Sequence, residues 1–341
     1  MLNTIYQLVA PRRFEVKVFD ETIDNNSLIV RPTHLSICNA DQRYYQGTRG
    51  VEILKQKLPM ALIHEGIGKV IYDPSGEFAP NTLVVMIPNI PFENNARIAE
   101  NYLRSSKFRG SSADGFMQEL VVTTKDRIVK LPSHTNKDVA AFTEIVSVAM
   151  HALSRFNKTL LDESGPIGVW GDGNLGFIVA LLLRKLYPNI KLVVFGHNTD
   201  KLSDFAFADK TYTTDQIPST LKVSGAFECA GGRGSESAIS QIIDHIIPEG
   251  TISLLGVSEN PVPINTRMVL EKGLRVYGSS RSGREDFINT VELYQTDPSV
   301  VAYLERIVGE VIEVSTVSDM TKAFEVDIKK PFGKTIMHWQ K

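Results

Sequence analysis

Cysteine and strong net charge are both scarce in this sequence. The chain of 341 residues has only two cysteines, Cys38 and Cys229. This excludes a disulfide scaffold and a four-cysteine structural zinc lobe, and it suits a reducing cytoplasm. The formal net charge of −2 predicts no nucleic-acid partner. With 43% hydrophobic residues, the chain can still bury a large core.

Long hydrophobic runs are also missing. The longest, Phe177–Leu183, is stopped by Arg184 and falls well short of the roughly 20 residues that cross a bilayer. Residues 1–10 lack the basic region and apolar stretch of a signal peptide. The sequence therefore predicts a soluble, cytoplasmic protein without a membrane partner.

The pattern of the sequence changes near Val139. Before it, short β-type segments alternate with turns, and we interpret the polar stretch Pro91–Asp114 as a solvated loop. Val139–Phe156 has the pattern of one helix, and residues 165–278 then alternate apolar strands with helices, which is typical of a doubly wound parallel sheet. The expected strands of that part are Ile167–Trp170, Lys191–Phe195, Gly225–Glu228, Thr251–Leu255 and Arg275–Tyr277.

We therefore expect an α/β protein with two domains, as the length also suggests. A β-rich domain would cover residues 1–145 and be completed by 281–341, where Lys334–Trp339 is expected to form the closing strand. A Rossmann domain would cover residues 146–280.

A glycine-rich turn follows the first strand of the second domain. It fits G-x-G-x-x-G and opens a helix, so its backbone can approach a pyrophosphate at the helix N-terminus. The sequence thus predicts a dinucleotide site, with contacts from Gly171, Gly173, Asn174, Leu175 and Gly176.

The end of the next strand indicates which dinucleotide binds. NAD usually needs an acidic residue there for the ribose 2′-hydroxyl, but no carboxylate occurs before Asp200. Gly196 leaves room for a 2′-phosphate, so we favour NADP(H). The alternative is that this segment is an ordinary turn and gives no information about which cofactor binds. The side chains available to bind that phosphate belong to His197, Asn198 and Lys201.

Metal-ligating side chains occur at two places in the first domain. Cys38 lies close to Asp41, and His64 is followed by Glu65. A thiolate, an imidazole and a carboxylate can hold a catalytic zinc with one open position. Glu144 is a further candidate, because a carboxylate in an otherwise apolar helix is costly without a partner. Spacing alone leaves open the alternative that these are ordinary buried side chains.

Taken in order, these motifs resemble the zinc-dependent medium-chain dehydrogenase/reductase superfamily. The resemblance rests on the cysteine and histidine segments, the carboxylate in the helix and the glycine-rich turn, and it extends through Asp114-Gly115-Phe116 and residues 228–232. It implies a GroES-like β-rich catalytic domain, a Rossmann domain and one zinc in the cleft between them. Cys38 and His64 would be zinc ligands, Glu65 and Glu144 variable carboxylate ligands, and Asp41 would orient the imidazole.

Two departures from that superfamily change the expected site. Residues 91–114, which match its structural zinc lobe, contain no cysteine, so we expect no structural zinc. Ala40 stands where many members carry a hydroxyl that relays a proton. Tyr44, or a water held by Glu65, would then carry the proton; the alternative for Tyr44 is simple lining of the site.

Within the superfamily, the sequence is similar to the ribulose-5-phosphate reductases, through residues 6–11, 41–45, 171–176 and 279–283. The resemblance implies NADPH-dependent reduction of D-ribulose 5-phosphate to D-ribitol 5-phosphate, for CDP-ribitol in teichoic acid or capsule. It further implies a homo-oligomer and functional coupling to a ribitol-5-phosphate cytidylyltransferase. Candidates for binding the phosphorylated ketose are Arg281, Arg284 and Arg43.

Two other functions remain open at this point. A polyol dehydrogenase of the sorbitol or xylitol type would share the zinc residues, but an NAD-dependent one should carry an acidic residue where Gly196 lies. A non-catalytic nucleotide-binding regulator would bind NADPH without needing zinc.

Overall fold

The computed structural model describes residues 1–157 and 165–341. Its strands are β1 (Leu2–Ala10), β2 (Arg13–Asp20), β3 (Leu28–Ser36), β4 (Met60–Ala61), β5 (Glu65–Tyr72), β6 (Leu83–Met86), β7 (Asn89–Ile90), β8 (Lys107–Phe108), β9 (Val121–Thr123), β10 (Ile128–Lys130), β11 (Ile167–Trp170), β12 (Leu192–Gly196), β13 (Lys210–Thr213), β14 (Val223–Glu228), β15 (Ile246–Leu254), β16 (Arg275–Gly278), β17 (Val308–Val314) and β18 (Lys334–Trp339). Its α-helices are α1 (Asn39–Tyr45), α2 (Val51–Lys57), α3 (Lys137–Ala140), α4 (Thr143–Asn157), α5 (Asn174–Leu186), α6 (Thr199–Ser203), α7 (Gly234–His245), α8 (Thr266–Glu271), α9 (Arg284–Thr296), α10 (Pro298–Leu304) and α11 (Val317–Lys329).

The described residues form two compact units. The first unit comprises residues 1–147 and 282–341, and the second comprises residues 148–281. In the first unit the largest sheet has the order β10-β6-β5-β3-β18-β17, with β9 also paired to β3. The last strand of the chain therefore lies against β3, in antiparallel register from Ile336 opposite Ser36 to His338 opposite His34.

The core of the first unit joins the two ends of the chain. Phe324 on α11 stacks on Tyr45 of α1, with ring centroids 4.6 Å apart, and lies 5.4 Å from the ring of Phe14 on β2. All three side chains are buried. Aromatic burial of this kind contributes much of the packing free energy, so the C-terminal segment is an integral part of this unit.

The second unit is a six-stranded parallel sheet in the order β13-β12-β11-β14-β15-β16. This is the usual Rossmann order, in which ligands bind at the carboxyl ends of the strands where the order reverses. Trp170 and Phe195 stack with centroids 3.9 Å apart and are fully buried near the carboxyl ends of the adjacent strands β11 and β12. The predicted α/β class is therefore present, with its parallel sheet.

The expected strands of the second unit are all found, but β13 was not anticipated. Its sequence Lys-Thr-Tyr-Thr is polar and half exposed because it forms the sheet edge. Two other expectations are wrong. Val139–Phe156 is not one helix: α3 ends at Ala140, and α4 begins at Thr143. The stretch Pro91–Asp114 is not fully solvated, since Leu103 and Phe108 are buried.

No helix among the residues described is long and apolar enough to span a bilayer.

Candidate metal centre and dinucleotide site

The first unit brings together a thiol, an imidazole and a carboxylate. Cys38 immediately precedes α1, His64 precedes β5, and Glu65 is the first residue of β5. Ligand atoms of the three side chains lie within 4.8 Å of one another, and His64 and Glu65 are buried. Sulfur, nitrogen and oxygen donors at this spacing fit the donor set of a catalytic zinc.

Asp41 ties the two metal-ligating segments together. One carboxylate oxygen accepts the backbone N–H of Ile63 at 3.0 Å and lies 3.4 Å from His64 Nδ1. The other oxygen accepts the backbone N–H of Cys38 at 3.1 Å. Because Nδ1 faces Asp41, Nε2 of His64 is left as the ligand atom, which is how an outer carboxylate fixes a metal-binding histidine.

The backbone just before His64 is strained. Ile63 is fully buried and has a φ of 72°, in the left-handed region that a β-branched residue rarely adopts. Such a conformation costs on the order of 1–3 kcal/mol and persists where the surroundings impose it. The Asp41 bond to the Ile63 N–H is part of that restraint. The strain therefore lies directly beside the candidate ligand.

Lys334, which the sequence analysis did not single out, completes the site. Its Nζ lies 2.8 Å from both carboxylate oxygens of Glu65, and the pair is almost completely buried. Burial disfavours the ammonium, but the charge of Glu65 outweighs that effect and raises the pKa of Lys334. A lysine at the start of the closing strand, which is buried along most of its length, is the sequence signal that could have identified it.

The charges around His64 and Glu144 also fit a bound cation. Burial opposes protonation of His64, yet Asp41 and Cys38 together raise the pKa of its imidazole well above the ordinary value. Burial raises the pKa of Glu144 to about 7; His64 opposes that shift and Glu65 reinforces it. Glu144 is thus electrostatically coupled to the site. A divalent ion would relieve the accumulation of acidic groups.

In the second unit, the glycine-rich turn runs from β11 into α5. A Cβ on Gly176 would meet the carbonyl oxygen of Gly171 at 1.9 Å, so only glycine permits this close packing of helix and strand. The space around Gly173 is open. The turn borders a cavity whose lining includes Gly171, Gly173, Gly196, His197, Thr214 and Gln241. The cavity lies where a Rossmann sheet binds its dinucleotide.

The side chain of Asp172 packs directly against Gly196 at the end of β12. A Cβ on Gly196 would lie 2.5 Å from the Cβ of Asp172. The Asp172 carboxylate accepts the backbone N–H groups of His197 at 2.7 Å and Asn198 at 2.8 Å. A larger residue than glycine at position 196 would therefore collide with Asp172, and contact of Gly196 with a 2′-phosphate stays a prediction.

The three candidate phosphate-binding side chains of this loop differ in their surroundings. Asn198 caps α6, with its amide oxygen accepting the N–H groups of Asp200 and Lys201. His197 Nδ1 lies 2.9 Å from the hydroxyl of Thr214, which holds the exposed ring in place. Lys201 follows on α6. Their contacts with a cofactor stay a prediction.

A second carboxylate of this unit, that of Glu228, is buried and organises the neighbouring strand ends. One of its oxygens accepts the N–H groups of Ala230 and Gly231 and the hydroxyl of Ser235, at 3.0–3.1 Å. The other accepts the N–H of Gly256 at 2.9 Å. Glu228 thereby shapes two loops at the carboxyl edge of the sheet.

The remaining candidates lie outside these two groups of contacts. Tyr44 is buried in the core of the first unit, with the guanidinium of Arg49 4.3 Å above its ring. Arg43 is in the last turn of α1. Arg284 begins α9 and donates its backbone N–H to Glu100 at 2.8 Å. Arg281 has a positive φ of 58°. Their roles stay predictions.

We expect Lys334→Met to destabilise the zinc-free protein by about 3–5 kcal/mol, because it leaves the Glu65 carboxylate buried without a cation. Urea unfolding of chelator-treated protein measures this. Lys322→Met, an exposed lysine on α11, is the control and should change stability by less than about 0.5 kcal/mol. Equal effects of the two substitutions would contradict a structural role for the ion pair.

Glu144 should make the zinc-free protein less stable as the pH rises. Its folded pKa of about 7 exceeds the ordinary 4.5, so the folded state holds this proton more tightly. The stability gained from this tighter proton binding is complete below the pKa of Glu144 in the unfolded chain. It is lost as the pH rises through the pKa of Glu144 in the folded protein. Relative to Glu144→Gln, the wild type should lose on the order of 3 kcal/mol of unfolding free energy between about pH 5 and pH 8. A difference independent of pH would refute the shift.

Asp172→Ala should weaken NADPH binding about tenfold, because the backbone of residues 197–198 loses an acceptor whose contribution is about 1–3 kcal/mol. Fluorescence titration with NADPH measures the dissociation constant. Asp200→Ala, in the first turn of the adjoining helix α6, is the control and should bind NADPH nearly as tightly as the wild type. A normal dissociation constant for Asp172→Ala would show that the loop holds its conformation without this carboxylate.

Comparison with known proteins identifies the family. Residues 24–133 match the alcohol dehydrogenase GroES-like domain. The chain is 54% identical to the ribulose-5-phosphate reductase of Bacillus spizizenii, over 100% of both chains, and 52% identical to ribulose-5-phosphate reductase 1 of Staphylococcus aureus, over 99% of both. The crystal structure of S. aureus TarJ in complex with NADPH superposes with a TM-score of 0.89, at 48% identity over 100% of each chain.

These matches confirm both the predicted fold class, a GroES-like domain with a Rossmann sheet, and the resemblance to zinc-type medium-chain dehydrogenases. The chain belongs to the ribulose-5-phosphate reductase family.

Proposed function

We propose that this protein reduces D-ribulose 5-phosphate to D-ribitol 5-phosphate with NADPH. The observation that carries the proposal is full-length identity above 50% to relatives named ribulose-5-phosphate reductase. The chemistry of the site supports it, since the Cys38, His64 and Glu65 group fits a catalytic zinc and the second unit presents a Rossmann cavity. The enzyme class is an oxidoreductase that acts on CH–OH groups with NADP as acceptor.

Each bound group has a defined contribution. When bound, zinc supplies a Lewis acid for the ketone oxygen and NADPH supplies the hydride. Cys38, His64 and either Glu65 or Glu144 would hold the metal, while Asp41 keeps His64 in the required tautomer. Lys334 holds Glu65 by its ammonium group at 2.8 Å.

The reduced C2 oxygen must also take up a proton. Ala40 has no hydroxyl to deliver it, so we assign the delivery to Tyr44 or to a water held by Glu65. Tyr44 is buried within α1, and the guanidinium of Arg49 lies over its ring. Its hydroxyl must therefore reach the substrate from within the core of the first unit.

We assign recognition of the substrate phosphate to Arg281, Arg284 and Arg43, because guanidinium groups bind phosphate in a bidentate manner. Arg281 leads the assignment, since it lies in the loop between β16 and α9, at the carboxyl end of a sheet strand where ligands collect.

The product also suggests partners. We propose that D-ribitol 5-phosphate passes to a ribitol-5-phosphate cytidylyltransferase and that the resulting CDP-ribitol feeds teichoic acid or capsule synthesis. We further propose a cytoplasmic homo-oligomer. Size-exclusion chromatography with light scattering tests the oligomer, and a coupled assay with the cytidylyltransferase tests the transfer.

The first experiment is NADPH oxidation by the purified protein with ribulose 5-phosphate, with NADH in parallel. We expect fast turnover with NADPH, slow turnover with NADH, and loss of activity after chelation that added zinc restores. Xylulose and sorbitol are the comparison substrates. Turnover of the unphosphorylated compounds alone would favour the polyol dehydrogenase, and NADPH binding without any turnover would favour the regulator.

Arg281→Ala should raise the KM for ribulose 5-phosphate about tenfold or more, because it removes a charge-assisted contact of about 1.5–3 kcal/mol. The KM for unphosphorylated ribulose should not change. Steady-state kinetics with both substrates measure this, and an equal effect on both would contradict phosphate recognition by this residue.

A further inference from the structure

A second group of metal-ligating side chains lies in the first unit, apart from the site described above. His34 on β3, Asp138 on α3 and His338 on β18 have ligand atoms within 4.8 Å of one another. The two histidines are directly opposite in the antiparallel pairing of β3 and β18. Their ring centroids are 4.6 Å apart, with planes inclined at 63°. Rings at this angle can direct nitrogen atoms toward one point.

Each histidine uses its Nδ1 in a contact with a neighbouring side chain, so Nε2 is the nitrogen that each ring would offer to a metal. His338 Nδ1 lies 2.7 Å from Glu313 Oε1, and His34 Nδ1 lies 3.1 Å from Thr33 Oγ1. A carboxylate that accepts Nδ1–H is the usual outer partner of a metal-binding histidine. His338 Nε2 then faces Asp138 Oδ1 at 2.7 Å. Nitrogen and carboxylate oxygen are thus adjacent.

The exposure of the group suits an exchangeable ion. The side chains of Asp138 and His338 are 28% and 26% exposed, so an ion can reach them from solvent. Two carboxylates, those of Asp138 and Glu313, flank one imidazole, which gives the group a negative charge whenever His338 is neutral. Two imidazoles with a carboxylate suit zinc and its neighbours among the first-row divalent ions.

We propose that His34, Asp138 and His338 form a second site for a divalent transition-metal ion, with zinc as the expected occupant. Water completes its coordination, and Glu313 orients His338. The site differs from the four-cysteine lobe, because it lies on the β3–β18 pair and not within residues 91–114.

The group of His34, Asp138 and His338 lies close in sequence to the residues of the first metal site. His34 lies four residues before Cys38, His338 four residues after Lys334, and Asp138 six residues before Glu144. A metal that joins the three would tie together the segments that carry a zinc ligand, its ion-pair partner and the neighbouring carboxylate. We therefore expect the ion to stabilise the first unit without taking part in the reaction.

The competing interpretation is an ion cluster without metal. Burial disfavours a charged His338, but its hydrogen bonds to Asp138 and Glu313 outweigh that effect and raise the pKa of the ring. A protonated His338 can then donate to both carboxylates. A bound metal ion would replace the proton between His338 Nε2 and Asp138, so zinc content distinguishes the two interpretations.

Metal content of the full-length protein tests the proposal. After dialysis against zinc at a buffered free concentration, mass spectrometry of the metal should give two zinc ions per chain in the wild type. His338→Ala and Asp138→Asn should each give one. His134→Ala, an exposed histidine outside the group, is the matched control and should retain two. One zinc in the wild type, or two in every variant, would overturn the proposal.

Cobalt substitution gives an independent readout, should His338→Ala fail to fold. Co²⁺ at the Cys38 site should show a thiolate charge-transfer absorption, whereas the second equivalent should add only ligand-field bands, because its ligands include no sulfur. His34→Ala should lose those added bands and keep the charge-transfer absorption. Unchanged ligand-field bands in His34→Ala would refute the site, and loss of the charge-transfer absorption alone would report on the proposed catalytic metal.

Discussion

The first unit depends on the balance of buried charge around Glu65. A carboxylate at 0% exposure is tolerated only with a cation and good hydrogen-bond geometry. Lys334 provides that cation from a strand 269 residues later in the chain. The C-terminal segment is therefore required for the site itself, and the pairing of β18 with β3 positions the ammonium.

The same principle explains why the ligand segments are held so firmly. Asp41 accepts N–H groups from both Cys38 and Ile63, so one buried carboxylate sets the separation of two segments and the tautomer of His64. Backbone strain at Ile63 is maintained by these contacts. The donor atoms are thus close together before any ion binds, which lowers the entropic cost of assembling the site.

In the second unit, two carboxylates accept hydrogen bonds from the backbone and fix the conformation of loops. Asp172 and Glu228 accept N–H groups at the carboxyl ends of neighbouring strands, and each braces a loop that borders the dinucleotide cavity or lies beside it. Acidic residues near an anionic cofactor would repel it if they were exposed. Asp172 and Glu228 accept hydrogen bonds from backbone N–H groups, and these bonds compensate part of the negative charge of the two carboxylates.

Local patterns in the sequence were enough to predict the parallel sheet, the glycine-rich turn and the bounds of β11 and β18, since each is specified by neighbouring residues. The ligand candidates Cys38 and His64 also came from short motifs. Tertiary structure alone decided the Lys334–Glu65 pair, the passage of Asp172 over Gly196, and the juxtaposition of His34 with His338. These contacts join residues that are distant in sequence or on separate loops, and such contacts leave no periodic or local signature because strand order and burial create them.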